Sequence, residues 1–193
     1  RPRNRLNAML TQQAKGAFDF TMVGALTTGL CSSSDDHCDV QVIDDVADVK
    51  EKKVVLLTVS SYLFRVITLV YFTLNKETKA HFAAINRVDP ETMSESDFLD
   101  VICECGNIFC GALNRELAKH FPHLGMSTPN VLDRDCIDYI EELDAGYIKH
   151  FKIEINSSFT MHASLAVCDF ADIDFYVDTT SNADESNGEL EMF

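Results

Sequence analysis

Residues 95–120 carry the pattern that most constrains the fold, because their polar and apolar positions separate at helical spacing. Polar or small residues recur at intervals of four, three and four: Asp100, Glu104, Asn107 and Gly111. Large apolar residues occupy the opposite side: Ile102, Phe109, Leu113 and Leu117. Since residues three and four apart share one helix face, the pattern predicts a helix that is anchored from behind. Its outer face would present an acid, an amide and a bare stretch of backbone.

The remaining sequence alternates between helical and strand patterns. Helical spacing is found at 4–29 (weakened near Gly16), 76–87 and 135–143. Strand patterns are found at 40–46, 53–59, 63–73, 147–156, 159–167 and 172–177. Pro122 ends the helix of residues 95–120. The order predicts antiparallel hairpins with helices to one side, which is an α+β fold. We expect one domain over residues 1–179.

Charge and apolar content limit the classes of partner. Asp and Glu number 31 against 16 Lys and Arg, giving a net charge of −15. Duplex DNA and anionic membranes are therefore not expected partners. No stretch approaches the roughly 20 apolar residues that a transmembrane helix needs, and no uninterrupted apolar signal core follows the Arg-rich start, so we expect a cytoplasmic protein. Residues 180–193 are predicted to form an acidic flexible tail.

Seven cysteines, an odd number, favour a reducing compartment over a disulfide framework. Cys103, Cys105 and Cys110 do not share one helix face, which favours buried, inert thiols over a metal or redox site. Cys31, His37 and Cys38 lack a second close ligand pair at the spacing of a zinc site. We therefore expect no metal bound by this chain and assign no catalytic histidine.

The Asp100 to Gly111 series resembles the active helix of the CheC/CheX family of chemotaxis phosphatases. That helix carries Asp or Ser, three residues, Glu, two residues, Asn, three residues and Gly, and every position is filled here. The hairpin of 54–73 and the Pro-containing segment 123–132 also resemble the family, so the similarity covers roughly residues 50 to 168. The N-terminal helix lacks Glu-x-x-Asn, which makes the chain CheX-like. Residues 135–143 look like an insertion, and Ser60-Ser61 stands where the family often has Gly-Gly.

The resemblance implies hydrolysis of the aspartyl phosphate on a CheY-like receiver domain. It implies that Asn107 orients the attacking water and that Glu104 pairs with the active-site Lys of the receiver. Asp100 and Gly111 would contact the receiver, and Mg²⁺ would be held by the receiver and not by this chain. CheX relatives are commonly homodimers, and the hairpin strands 54–73 and 159–167 would offer edges for pairing.

Two alternatives belong to other functional classes. One is a non-catalytic receiver-binding or scaffold protein of a signalling or flagellar-switch complex, as FliM-like relatives are. The other is a thiol or metal enzyme that uses Cys103 and Cys110.

Overall fold

A seven-stranded antiparallel sheet forms the centre of the molecule in a computed structural model that describes residues 10–31 and 36–178. The strands are β1 (Cys38–Ile43), β2 (Lys53–Ser60), β3 (Phe64–Phe72), β4 (Gly125–Met126), β5 (Asn130–Asp133), β6 (Tyr147–Ile155) and β7 (Phe159–Asp169). Their order is β1-β6-β7-β3-β2-β4, and β5 also pairs with β2, on the side that carries β4.

Three α-helices and one 3-10 helix accompany the sheet: α1 (Gln12–Leu30), α2 (Lys76–Asn86), α3 (Glu95–Ala118) and the 3-10 helix (Arg134–Leu143). The α-helices pack on one face of the sheet, which we call the helix face, and together with it they bury the larger core cluster. The 3-10 helix packs on the opposite face, the second face, over a smaller cluster that includes Ile137, Ile140 and Tyr71. Within the described residues no helix is both long and apolar enough to cross a membrane.

Two glycines allow α3 to approach its neighbours closely. A Cβ on Gly29 of α1 would lie 2.5 Å from the Cβ of Phe109, so the two helices meet backbone to side chain at this point. A Cβ on Gly106 would lie 3.0 Å from Leu57 of β2. Because α3 is held by α1 on one side and by the sheet below, its remaining face is fixed in orientation toward the exterior.

The α+β prediction is confirmed, and most predicted elements match in type. The motif helix of residues 95–120 is α3, whose N-cap is Ser94. Helix α1 runs unbroken through Gly16 and begins after Thr11, whose side chain accepts a hydrogen bond from Ala14 N–H. Residues 1–9, which include the predicted start at residue 4, lie outside the described residues, as do 180–193, the predicted tail.

Two predictions were wrong. The segment 172–177 is not a strand. Its pairing is limited to one isolated bridge between Ile173 and Leu10, because the chain there packs against α1 and does not run along the sheet. The strands 54–73 and 159–167 do not offer free edges, since β2 and β3 pair with each other, β7 lies between β3 and β6, and β2 is flanked by β4 and β5. A dimer therefore cannot pair along those strands.

Candidate functional site

The start of α3 is fixed by a capping box one turn before Asp100. Ser94 Oγ accepts a hydrogen bond from the Asp97 N–H at 3.1 Å, and Asp97 Oδ2 accepts one from the Ser94 N–H at 2.9 Å. Ser94 Oγ also donates a hydrogen bond to Asp97 Oδ2 at 2.7 Å. This bond and the one from the Ser94 N–H lower the pKa of Asp97, whose carboxylate lies at the positive end of the helix dipole. The register of the motif is thus set locally, by two side chains that the sequence places at the helix start.

The back of α3 is buried as the spacing predicted, because its apolar residues enter the helix-face core. Ile102, Phe109, Leu113 and Leu117 are all at most 2% exposed. Asp100 and Glu104 are exposed on the outer side, and Asn107 is half-buried. A Cβ on Gly111 would have no atom within 4 Å, so the backbone there faces open space. The structure therefore brings all four predicted residues to one accessible face.

Glu104 and Asn107 contact each other along this face. The Asn107 amide Nδ2 donates a long hydrogen bond of 3.4 Å to Glu104 Oε2. The amide is therefore turned so that its NH₂ group meets the carboxylate. Its carbonyl oxygen is then free to accept a hydrogen bond from an outside donor such as water. The pair combines one negative charge with one oriented acceptor, a turn apart on a rigid helix.

A groove of about 470 Å³ continues the same side of the molecule between α1 and α3. Gly24 and Thr28 of α1 line one wall, and Arg115 and Lys119 of α3 line the other. Lys119 Nζ is paired with Glu116 at 2.7 Å, whereas Arg115 is exposed one turn beyond Gly111. The first half of α3 therefore presents the carboxylates of Asp100 and Glu104, and its second half presents the guanidinium of Arg115 beside the Lys119–Glu116 ion pair.

The cysteines of α3 lie in environments that keep their thiols unreactive. Burial raises the pKa of Cys105 and the pKa of Cys110 to about 11 each, and burial likewise raises the pKa of Cys103. A thiol is unreactive while it stays protonated, so these positions do not support a thiol enzyme. Among residues 10–31 and 36–178 no three His, Cys, Asp or Glu side chains are grouped as metal ligands would be. The absence of a metal from this chain stays a prediction.

Sequence reasoning missed a polar cluster on the second face. Tyr71 Oη lies 2.8 Å from Ser164 Oγ, which lies 2.7 Å from His150 Nδ1, and all three belong to neighbouring strands. Beside them His162 Nδ1 lies 2.6 Å from Glu51 Oε1. The strand alternation could have placed these side chains on one face, but only the pairing register, which no local signal gives, brings them together.

Comparison with known proteins yields matches in structure and not in sequence. No protein-family model matches the sequence, and no curated protein matches it significantly. A CheC-like superfamily protein from Shewanella sp. PV-4 superimposes with a TM-score of 0.52 at 13% identity, covering 82% of this chain and 99% of that one. CheX from Borrelia burgdorferi, crystallised with CheY, BeF3 and Mg²⁺, gives a TM-score of 0.57 at 8% identity, covering 80% and 97%.

A FliM structure from H. pylori, determined in complex with SpeE, gives a TM-score of 0.50 at 6% identity and covers 83% of this chain and 90% of that one. At these identities the comparison establishes the fold. The seven-stranded sheet, the helices on one face and the outward motif helix make this chain a CheX-like member of the CheC/CheX/FliM-type fold.

Proposed function

We propose that the protein is a phosphatase that hydrolyses the aspartyl phosphate of a CheY-like receiver domain in the cytoplasm. The observation that carries the proposal is the Glu104–Asn107 pair, one turn apart, hydrogen-bonded and outward on a helix that is anchored by its other face. A rigid helix with a protruding acid and amide can enter the cleft of another protein without distortion of either partner.

Asn107 supplies the orientation that the reaction needs. An aspartyl phosphate is already activated, so the reaction requires mainly a water held in line with the departing carboxylate. The Asn107 carbonyl oxygen accepts a hydrogen bond from that water. The water oxygen bonds to phosphorus as the bond from phosphorus to the aspartate oxygen breaks. The aspartate leaves as a carboxylate, and the proton of the water passes to the inorganic phosphate or to solvent.

Glu104 provides the electrostatic contact. Its exposed carboxylate pairs with the active-site Lys of the receiver, which fixes the helix in the cleft and sets the distance of Asn107 from the phosphorus. Asp100 contacts the rim of the receiver, and Gly111 lets the receiver approach the α3 backbone. Mg²⁺ belongs to the receiver, whose acidic residues hold it beside the phosphoryl group. Support for this partner comes from the Borrelia CheX that shares the fold and was crystallised with CheY, BeF3 and Mg²⁺.

The lifetime of a phosphorylated receiver tests the proposal. Receivers from the same organism are phosphorylated with acetyl phosphate, and dephosphorylation is followed with wild type, Asn107→Ala and Asn130→Ala. Asn130 is an exposed amide on β5 and serves as the matched control. We expect Asn107→Ala to lose about 100-fold in rate, since misplacing the reacting water costs about that much. Asn130→Ala should act like wild type.

A second candidate function is receiver binding without catalysis, as part of a switch or scaffold. The superposition with H. pylori FliM is the observation that favours it. Equal phosphoryl lifetimes with wild type and Asn107→Ala, together with binding of a BeF3-treated receiver by both, would support this candidate and reject the phosphatase.

We also propose that the protein is a homodimer, with a different edge from the one expected from sequence. Strand β1 pairs with β6 on one side, and no described strand pairs with its other side. Val42 on this strand is 50% exposed. Light scattering at micromolar concentration should give twice the monomer mass, and Val42→Lys should shift it toward monomer.

A further inference from the structure

The second face of the sheet carries an apolar groove that the proposed function does not use. The cavity measures about 400 Å³ and lies between the 3-10 helix and alternate side chains of β2 and β3. Its floor includes Ile67 and Leu69, and its wall includes Ile137 and Ile140. This volume lies in the range of sites that take ligands or peptide side chains. We refer to it as the second-face groove.

The rim of the second-face groove is apolar and uncovered. Tyr139 is 69% exposed, Leu143 40% and Leu132 38%, and all three line the cavity. Large side chains exposed together beside a concave apolar floor mark a binding site more often than scattered single residues do. Tyr139 and Leu143 of this rim belong to the 3-10 helix, the segment that looks like an insertion relative to the CheX family, and Leu132 belongs to β5.

The outer side of the 3-10 helix is strongly acidic. Asp135, Asp138, Glu141 and Glu142 are all exposed, and none makes a hydrogen bond or ion pair with another described residue. The cation among the groove-lining residues, Arg65, lies on β3, across the groove from the helix. The charge is thus divided, with four carboxylates along one side and one guanidinium on the other.

This charge distribution favours some classes of molecule in the groove over others. A second copy of the chain on a twofold axis would bring the same acidic helix toward itself, and like charges at such a contact are unfavourable. An anionic lipid or fatty acid would face four carboxylates on one side. A segment with apolar side chains and a row of Lys or Arg matches both features, because its apolar side enters the groove while its cations meet the helix.

We propose that the second-face groove docks an amphipathic basic segment of another protein. Leu, Ile or Phe side chains of that segment fill the groove between β3 and the 3-10 helix. Its Lys or Arg side chains lie along Asp138, Glu141 and Glu142, and the repulsion from Arg65 fixes which edge of the segment is cationic. The groove and the outer face of α3 lie on opposite sides of the sheet, so a receiver and this segment bind at the same time.

A fluorescein-labelled amphipathic peptide of leucine and lysine serves as the probe, titrated with the full chain at about 0.15 M salt, where distant charges are screened. Wild type should bind one peptide. Tyr139→Asp should weaken binding at least about tenfold, since it removes the aromatic side chain at the rim of the groove, even though it adds a carboxylate that would attract a cationic peptide. The matched control is Tyr176→Asp, a 58% exposed tyrosine outside the groove, which should bind within about twofold of wild type.

Charge is tested separately with equal numbers of neutralised acids. The triple variant Asp138→Asn, Glu141→Gln, Glu142→Gln should bind about tenfold more weakly. The control triple Glu77→Gln, Glu91→Gln, Glu95→Gln, on exposed positions of the helix side, should bind within about twofold of wild type.

Three results would overturn the proposal: no peptide binding by wild type, binding by Tyr139→Asp as tight as by wild type, or a wild-type dimer that Tyr139→Asp dissociates. The second result would mean that attraction is only electrostatic, and the third that a second copy covers the groove. None of these measurements involves phosphatase activity, so they stand apart from the receiver assay.

Discussion

The two faces of the sheet are covered in different ways: one is closely packed, and the other leaves a cavity. On the helix face, α1 and α3 meet so closely that Gly29 contacts Phe109 with no room for a methyl group. On the second face, a 3-10 helix rests over a smaller cluster and leaves a cavity of about 400 Å³ beside it. The tightly packed face holds the motif helix still. The loosely covered face keeps an open cavity beside the 3-10 helix.

The same contrast explains why α3 can present its motif. In the proposed mechanism Asn107 orients one water molecule, which needs a support that does not shift, because a 1 Å displacement is enough to lose most of that effect. The close α1–α3 contact supplies this rigidity behind Asn107. The proposed mechanism does not require the 3-10 helix to be held as firmly as α3. The 3-10 helix contacts the loop before β2, where the Arg134 side chain donates a hydrogen bond to the Val46 carbonyl at 2.6 Å.

The largest expected effect is a change in the free energy of unfolding when one core residue on each face is truncated. Phe109→Ala should lower the free energy of unfolding by about 4 kcal/mol, because a fully buried ring leaves a cavity that two rigid helices cannot fill. Ile137→Ala should cost about 2 kcal/mol, since the neighbouring groove lets the 3-10 helix settle inward. Urea unfolding of both variants measures the two values. Equal losses would show that the faces are packed alike.

Glycine replacements in α1 probe the helix contact directly. Gly29→Ala should destabilise by about 1–3 kcal/mol, because the new Cβ would overlap Phe109 and push the helices apart. Gly24→Ala is the matched control in the same helix: its Cβ meets nothing within 4 Å, so it should gain up to about 1 kcal/mol from helix propensity. Melting temperatures in opposite directions are the expected result, and a tolerated Gly29→Ala would contradict the close approach.

Gly111 extends the comparison from stability to function. Gly111→Ala should stabilise the protein by about 1 kcal/mol, since the glycine sits in a helix interior with open space beside it. Gly111→Phe should also fold, yet slow receiver dephosphorylation, because the ring would occupy the space in which the receiver approaches α3. Thermal unfolding and the phosphoryl-lifetime assay are needed together. A Gly111→Phe protein with full activity would remove Gly111 from the docking surface.

The features that the sequence could reveal are those set by local spacing. The 3.6-residue period identified α3 and its buried side, because amphipathicity is set within a few residues. The face shared by Asp100, Glu104, Asn107 and Gly111 followed from the same geometry. What local spacing could not give was strand order, and with it the fact that β7 is central and not at an edge.

The second-face groove could not be predicted from the sequence for the same reason. It depends on where Arg134–Leu143 packs after the chain has passed β5, and on which side chains of β2 and β3 that segment leaves uncovered. Residues 172–177 have an alternating pattern that is typical of a strand, yet they do not form one. The chain there packs against α1, and the ring centroids of Phe175 and Phe18 lie 5.0 Å apart in an edge contact. Burial of alternate side chains does not require a sheet partner.

The smallest expected effect concerns pH, and it compares one histidine from each face. Burial lowers the pKa of His150 on the second face, although nearby Asp45 and Glu141 oppose this, and burial lowers the pKa of His81 on the helix face, although its hydrogen bond to the Leu30 carbonyl opposes it. A histidine whose folded pKa is depressed binds fewer protons in the folded state than in the unfolded chain. Stability is therefore full above the unfolded pKa of about 6.5 and falls as pH drops below it.

Urea unfolding at pH 7.5 and pH 5 should show this loss in wild type. His150→Gln and His81→Gln should each make the difference between the two pH values smaller, because glutamine takes up no proton in either state. His150 has the carboxylates of Asp45 and Glu141 and the ammonium group of Lys149 nearby, whereas His81 has the carboxylate of Asp36 nearby and stacks against the ring of Phe159 at 4.5 Å. At both positions burial disfavours the charged imidazole, while nearby acids partly favour it. A variant that keeps the full wild-type difference between the two pH values would show that its histidine does not contribute to the loss of stability at low pH.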